Sequence, residues 1–99
     1  MTIYEHRTSL TVSGGSVSST TLRIIGGLCR QLLIRSNTST TVFRADLQDS
    51  NGKTRRNYDF HQGELNDMEL TLPMVGTYTI NITNVSPDDT FDLILAVQE

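Results

Sequence analysis

Few side chains in this sequence are of the types that perform acid–base or nucleophilic chemistry. There are two histidines, His6 near the N-terminus and His61 in a predicted turn, and one cysteine, Cys29. A nucleophile needs a base within hydrogen-bond reach, and neither histidine lies in a motif that would provide one. One cysteine and two scattered histidines also lack the paired spacing of a zinc site. The sequence therefore predicts no enzyme, no catalytic residue, no cofactor and no metal centre.

Two acidic segments contain oxygen ligands of the kind that calcium prefers. DLQDSNG brings Asp46, Asp49 and Asn51 close together, and SPDD supplies Asp88 and Asp89. Neither segment has the D-x-D-x-D-G order of a calcium loop, whereas Asp-Ser-Asn-Gly and Pro-Asp-Asp both suit tight turns. Chain reversal is therefore the favoured interpretation, with a calcium site as the alternative.

A short basic group is followed by two aromatic residues, a combination that can grip single-stranded nucleic acid. The isoelectric point of about 5.2 and the acidic second half of the chain oppose such binding. No nucleic-acid partner is predicted. The residues concerned are Arg44, Lys53, Arg55, Arg56, Tyr58 and Phe60.

The elements that hold these residues must be strands, as the composition indicates. The chain has 14 Thr, 6 Val and 7 Ile but only 2 Ala and 1 Lys. β-Branched side chains lose rotamer freedom in a helix and fit a pleated sheet. Period-two alternation is repeated in segments such as TYTINIT and TFDLILAV, which is typical of half-buried strands.

Turn signals divide the 99 residues into eight predicted segments spaced as in an antiparallel sandwich or barrel. We predict a single all-β domain over residues 1–99, an antiparallel β-sandwich of about eight strands. A jelly roll is favoured and an immunoglobulin-like sandwich is the alternative, because spacing does not reveal strand order. The predicted turns lie at residues 13–16, 26–27, 36–39, 49–52, 61–64, 73–76 and 86–89.

The stretch TLRIIGGLCRQLLIRS, residues 21–36, is the most apolar part of the chain and fits a helix or a hairpin. Gly26 and Gly27 would each cost a helix interior about 0.8–1 kcal/mol. We therefore expect two strands joined by a two-residue Gly-Gly turn. A phosphate loop is excluded, since no third glycine and no Lys-Ser/Thr follows. Residues 32–34, LLI, are apolar on both faces, which predicts a strand covered on its second face by another subunit.

Charge is segregated along the chain. Residues 1–56 carry a net charge of +5, and residues 57–99 carry −8 without any Lys or Arg. One interpretation is that strands from the two halves are neighbours whose charges pair at the surface. The other is that a basic face of one copy meets an acidic face of the next, which would set orientation and association rate.

The N-terminus has no apolar core behind basic residues, and no run approaches the length of a membrane span. The expectation is a protein that stays in a cytoplasm and has no membrane partner.

The segments ADLQDSNGKTR and LPMVGTYTINITNVSPDDTFDLILAV resemble parts of small jelly-roll and immunoglobulin-like modules. Bacterial pre-peptidase C-terminal domains and carbohydrate-binding sandwiches share the pattern of turns and strands in these two segments. The resemblance covers roughly the last 60 residues of the chain. The resemblance implies that Gly76 permits a tight entry into a strand and that Tyr78 begins its buried face. It implies a fold and no site.

As a whole, a Ser/Thr/Asn-rich, cysteine-poor β domain that starts at its own Met is similar to small virion accessory proteins of tailed bacteriophages. The resemblance implies a non-enzymatic capsid decoration or cement protein, located in the virion and assembled in the host cytoplasm. Its partners would be the major capsid protein or another virion protein and further copies of itself, with a trimer possible. The expected interface residues are Arg23, Ile25, Arg30, Leu33, Arg35, Arg44, Arg55, Arg56, Asp88 and Asp89.

A carbohydrate-binding module, as in a phage fibre, is the alternative function. Such sites stack sugars on exposed aromatic rings. The chain has no Trp, and most of its Tyr and Phe residues are expected in the core.

Overall fold

The computed structural model describes residues 3–12 and 18–98, which contain seven strands and no helix. All strand pairs are antiparallel. The strands are β1 (Ile3–Thr11), β2 (Ser18–Ser36), β3 (Val42–Gln48), β4 (Thr54–Gln62), β5 (Glu64–Asp67), β6 (Leu72–Ser86) and β7 (Thr90–Gln98).

Hydrogen-bonded neighbours follow the order β1-β7-β2-β6-β3-β4, and β5 pairs with β2. The sheet folds over, so that strands far apart in this order meet across the core. Phe43 on β3 and Phe91 on β7 show this, because their ring centroids are 5.0 Å apart in an edge-to-face arrangement although two strands separate them in the sheet. The prediction of an all-β antiparallel sandwich is confirmed.

The core is built from the alternating apolar residues that the sequence pattern identified. On β3 the burial alternates without exception, with Phe43, Ala45 and Leu47 inside. Because successive side chains of a strand point to opposite faces, one apolar residue in two is sufficient to close such a core. The other strands supply Leu32, Ile34, Leu65, Ile80, Ile82, Phe91, Leu93, Leu95 and Val97.

The predicted Gly-Gly hairpin is wrong, since β2 runs unbroken for 19 residues. Its first part, Ser18 to Ile24, pairs only with β6, and its second part, from Leu28 to Ser36, pairs with β7. Leu28 and Cys29 pair with β6 as well, and the two parts of β2 do not pair with each other, which a hairpin would require. The glycines lie where the ladder with β6 shifts register, between Ile24 and Gly27. A glycine inside a strand is typical of such a bulge or of a close backbone approach.

The turns predicted at residues 36–39, 49–52, 61–64 and 86–89 separate consecutive strands, as expected. The turn predicted at 73–76 is wrong, because this segment is part of β6, where Gly76 has a φ of 98°. Tyr78 is buried, as the resemblance implied. The turn predicted at 13–16 lies outside the described residues. Within the described part of the chain, no helix is long and apolar enough to span a membrane.

We predict that Gly27→Ala destabilises the protein, whereas Gly26→Ala does not. Gly27 has a φ of 143°, and a Cβ atom there would lie 2.6 Å from the Gln98 carbonyl oxygen and 2.7 Å from a methyl group of Val97. The combined strain and overpacking correspond to a loss of roughly 2–4 kcal/mol in the free energy of unfolding. At Gly26 a Cβ would meet no atom within 4 Å. Urea denaturation of both variants checks this difference, and equal losses would contradict the bulge geometry.

Candidate protein-binding surface

The strands β1, β7, β5 and the second half of β2 present one continuous surface to solvent, here called the outer face. Its centre consists of Leu33 on β2 with Ile94 and Ala96 on β7, paired across the ladder as Leu33 with Ile94. Leu33 and Ile94 are half-buried and Ala96 is nearly covered. Their strand neighbours Leu32 and Leu95 point the opposite way, into the core. Both faces of β2 and β7 are therefore apolar at this point.

Charged side chains surround this apolar centre. The Arg35 guanidinium donates hydrogen bonds to the Glu64 carboxylate, with Nη2 3.0 Å from Oε1, and Arg7 pairs with Glu5 at the same distance. These four side chains are between 48% and 65% exposed, so each pair contributes only about 0–1 kcal/mol to stability. Because these ion pairs within the chain are so weak, the four side chains can pair with charged groups of a partner instead.

Two shallow depressions lie side by side on the outer face. One, of about 450 Å³, is lined by Arg7, Leu33, Arg35, Asp92 and Ile94 among others. The second, of about 410 Å³, contains the apolar side chains of Ile3, Met68 and Ala96 beside Glu5, Arg30 and Gln31. Ile3 is 56% and Met68 67% exposed. Apolar groups bordered by charge over a sheet surface are typical of protein-binding patches.

The ten predicted interface residues do not form one site. Arg30, Leu33 and Arg35 lie on the outer face, and Arg30 is the extra residue of a bulge between Cys29 and Gln31 in the ladder with β7. Arg23 lines a different depression, formed with Ile24, Val75 and Gly76. The side chain of Ile25 lies outside the described residues.

The other predicted interface arginines lie on the β3–β4 hairpin and make contacts inside the chain. Arg44 stands over the ring of Phe60, 5.4 Å from its centroid, with its Nη2 3.4 Å from the Asp59 carboxylate. Arg55 Nε is 3.1 Å from the Asp49 carboxylate. Arg56 donates a hydrogen bond to the carbonyl oxygen of Arg55. Asp88 and Asp89 lie in the connection between β6 and β7.

The segregated charge is partly neutralised inside the molecule. Of the four ion pairs within the described residues, Arg35–Glu64 and Arg44–Asp59 join the basic first half to the acidic second half. This supports the first interpretation of the charge pattern for these residues. Arg23 and Arg30 have no ion pair within the described part of the chain.

The Asp89 carboxylate links the connection between β2 and β3 to the start of β7 by hydrogen bonds. Its Oδ2 accepts hydrogen bonds from the Thr38 amide at 2.8 Å and the Thr41 hydroxyl at 2.7 Å, and its Oδ1 accepts one from the Thr90 amide. Burial alone would raise the pKa of this carboxyl, but the hydrogen bonds outweigh burial and hold the pKa below its usual value. Asp49 shapes the β3–β4 turn in the same way, accepting bonds from the Asn51 and Lys53 amides.

The side chains that could do chemistry are dispersed over the fold, and the thiol among them is buried. His6 is on β1 and His61 on β4, the two end strands of the sheet order. Burial raises the pKa of the Cys29 thiol to about 11, which keeps it protonated. Burial, and then its hydrogen bond to the Asp67 carboxylate at 2.9 Å, raises the pKa of Tyr58. Within residues 3–12 and 18–98, no three His, Cys, Asp or Glu side chains are grouped as metal ligands.

The fold defines the class of the protein, an antiparallel β-sandwich, and the solved structures that resemble it include one that matches over almost the whole chain. This is the PliG protein of Aeromonas hydrophila, described as a periplasmic lysozyme inhibitor of g-type lysozyme. The TM-score is 0.51 and the sequence identity 17%, over 97% of this chain and 86% of that one. No protein-family profile matches the sequence. No curated protein matches it either.

The prediction of a phage capsid decoration protein is wrong, since the PliG structure, which is similar in fold, is that of an enzyme inhibitor and not of a virion component. Nor does this likeness support the carbohydrate-binding alternative. The capsid prediction relied on a strand that is apolar on both faces, at residues 32–34, and on the segregation of charge along the chain. In the structure Leu32 and Ile34 fill the chain's own core while Leu33 lies half-buried on the outer face, and Arg35 and Arg44 pair with acids of the same chain. Neither feature requires a capsid. The expected location in the virion depended on the capsid prediction.

Sequence reasoning missed most of the outer face, including Ile3, Met68, Ile94 and Ala96. One signal was present, because in TFDLILAV the residues Ile94 and Ala96 are apolar between the inward Leu93, Leu95 and Val97. This is the same two-faced pattern as in LLI at residues 32–34. Reading the two segments together would have indicated neighbouring strands with a shared apolar outer side.

We predict that Asp89→Asn lowers the free energy of unfolding at neutral pH by about 1 kcal/mol, because one amide oxygen cannot accept all three hydrogen bonds. The folded-state pKa of Asp89 lies below its unfolded value. Its contribution is therefore present above the unfolded pKa of roughly 4 and is lost as the pH falls through the lower folded value.

Denaturation of wild type and variant from neutral to acidic pH checks this, and the two curves should converge on acidification. The matched control is Asp92→Asn, which changes an exposed carboxylate. A difference between wild type and Asp89→Asn that stays constant down to the lowest pH would contradict the assignment.

Proposed function

We propose that the protein is a non-enzymatic binding protein whose outer face docks on a partner protein. The observation that carries this proposal is the apolar centre of Leu33, Ile94 and Ala96 enclosed by weakly paired charges. Such a surface gains free energy when its apolar part is covered, while the charged border fixes orientation.

The use of the titratable groups favours binding over catalysis. The Cys29 thiol is enclosed and protonated, and the carboxylates of Asp49 and Asp89 hold turns together. The Tyr58 hydroxyl donates a hydrogen bond to the Asp67 carboxylate between β4 and β5. These groups stabilise the scaffold, which supports a role that depends on surface shape and charge.

An enzyme is the partner class that the shared fold suggests. The PliG protein, which is similar in fold, is described as an inhibitor of g-type lysozyme, so a g-type lysozyme is the first partner to test. The net charge of −3 favours encounter with a positively charged partner.

The test is binding to, and inhibition of, a g-type lysozyme, measured by calorimetry and by the rate of cell-wall lysis. We expect Leu33→Asp to weaken binding by at least tenfold, because it places an unpaired charge at the centre of the covered surface. The matched control is Val75→Asp, since Val75 is 71% exposed and lies outside the outer face. It should bind like wild type.

Circular dichroism of each variant separates loss of binding from loss of folding. Absence of both binding and inhibition would overturn g-type lysozyme as the partner. Binding that survives Leu33→Asp, or that Val75→Asp weakens to the same extent, would overturn the outer face as the docking surface.

A further inference from the structure

Strand β1 is an open and regular sheet edge. Its nine residues pair with β7 in one uninterrupted register, and the described residues place no strand on its other side. Two other edge strands, β4 and β5, are less available. β4 carries two irregularities in its ladder with β3, each adding one residue to β4, and β5 has only four residues. Short length and bulges are devices that protect sheet edges, and β1 has neither of them.

The backbone groups of β1 that face this open side can be assigned. The Val12 amide donates a hydrogen bond to the Asp89 carbonyl oxygen at 2.9 Å, which fixes which residues bond toward β7. Because bonding direction alternates along an antiparallel strand, Ile3, Glu5, Arg7 and Ser9 direct their N–H and C=O groups to the open side. This edge is therefore ready to accept another strand.

The side chains of β1 select a second copy of the same strand in one register. Two identical antiparallel strands related by a two-fold axis must place one residue opposite itself. With His6 at the axis, Glu5 of each copy faces Arg7 of the other, which gives two cross-strand pairs of opposite charge. With Arg7 or Glu5 at the axis, like charges would face each other, which is destabilising.

The same register also covers exposed apolar surface. It places Ile3 opposite Ser9 and Tyr4 opposite Thr8 of the second copy. Ile3 is 56% and Tyr4 50% exposed in the single chain. The Arg7–Glu5 pair within each chain then joins a group of four alternating charges.

We infer that the protein forms a symmetric dimer in which β1 pairs antiparallel with β1 of a second copy, with His6 at the two-fold axis and Glu5 opposite Arg7. The axis is normal to the sheet, so the outer faces of both copies lie on the same side of one continuous sheet. This inference concerns self-association and is independent of the proposed partner enzyme.

The experiment is charge exchange followed by analytical ultracentrifugation over a range of protein concentration. Glu5→Arg places arginine opposite Arg7, and Arg7→Glu places glutamate opposite Glu5. Each variant alone is expected to dissociate at least tenfold more readily than wild type. An equimolar mixture of the two variants should form the dimer again, because both cross-strand pairs then have opposite charges.

Glu64→Arg is the matched control, because Glu64 is also half-exposed, also pairs with an arginine and lies on β5 away from the β1 edge. It should dimerise like wild type. Restoration in the mixture also shows that each variant is folded. A wild-type protein that is monomeric throughout, or a dimer that both single exchanges leave intact, would overturn the inference.

Discussion

The close approach of β2 to the end of β7 is the constraint on which the sandwich depends. β2 must pass from pairing with β6 to pairing with β7 as one strand, with Leu28 and Cys29 paired to both. At Gly27 its backbone comes so near to Gln98 that no side chain fits. A hairpin at this point would have ended the strand and left the inner strands of the sheet without a common partner. Because β2 continues, one strand connects β6, β5 and β7, and the sheet can fold over one core.

Much of the fold was predictable from the sequence, because alternation in short segments is a local property. Phe43, Ala45 and Leu47 are buried as the pattern predicted, and the Asp-Ser-Asn-Gly segment turns the chain as its residue types indicate. The role of Gly26 and Gly27 was not predictable. A glycine pair signals a tight turn and a bulge equally well, and only the positions of β6 and β7 decide between them. Long-range partners of this kind leave no local trace.

The surface was predictable only in fragments. Residue type and spacing indicated that Leu33 and its neighbouring arginines lie on an unusual strand, and these residues do lie on the outer face. Their neighbours Ile94 and Ala96 are some sixty residues away in the chain, so the continuous surface arises from the β2–β7 register. The same register brings Arg35 close to Asp92. Arg44, Arg55 and Asp89 are also charged residues that were expected at the interface, but in the structure they bond within the chain's own turns and hairpins. Residue type alone does not distinguish these two roles.

The enclosed thiol of Cys29 gives the molecule an internal reporter. Cys29 is the only cysteine, its side chain has no solvent exposure, and it lies next to the bulge where β2 bends along β7. An alkylating reagent reaches the sulfur only after these strands separate, so the labelling rate measures how often this part of the sheet opens. The buried thiol of Cys29 thus reports the local opening of the sheet between β2 and β7.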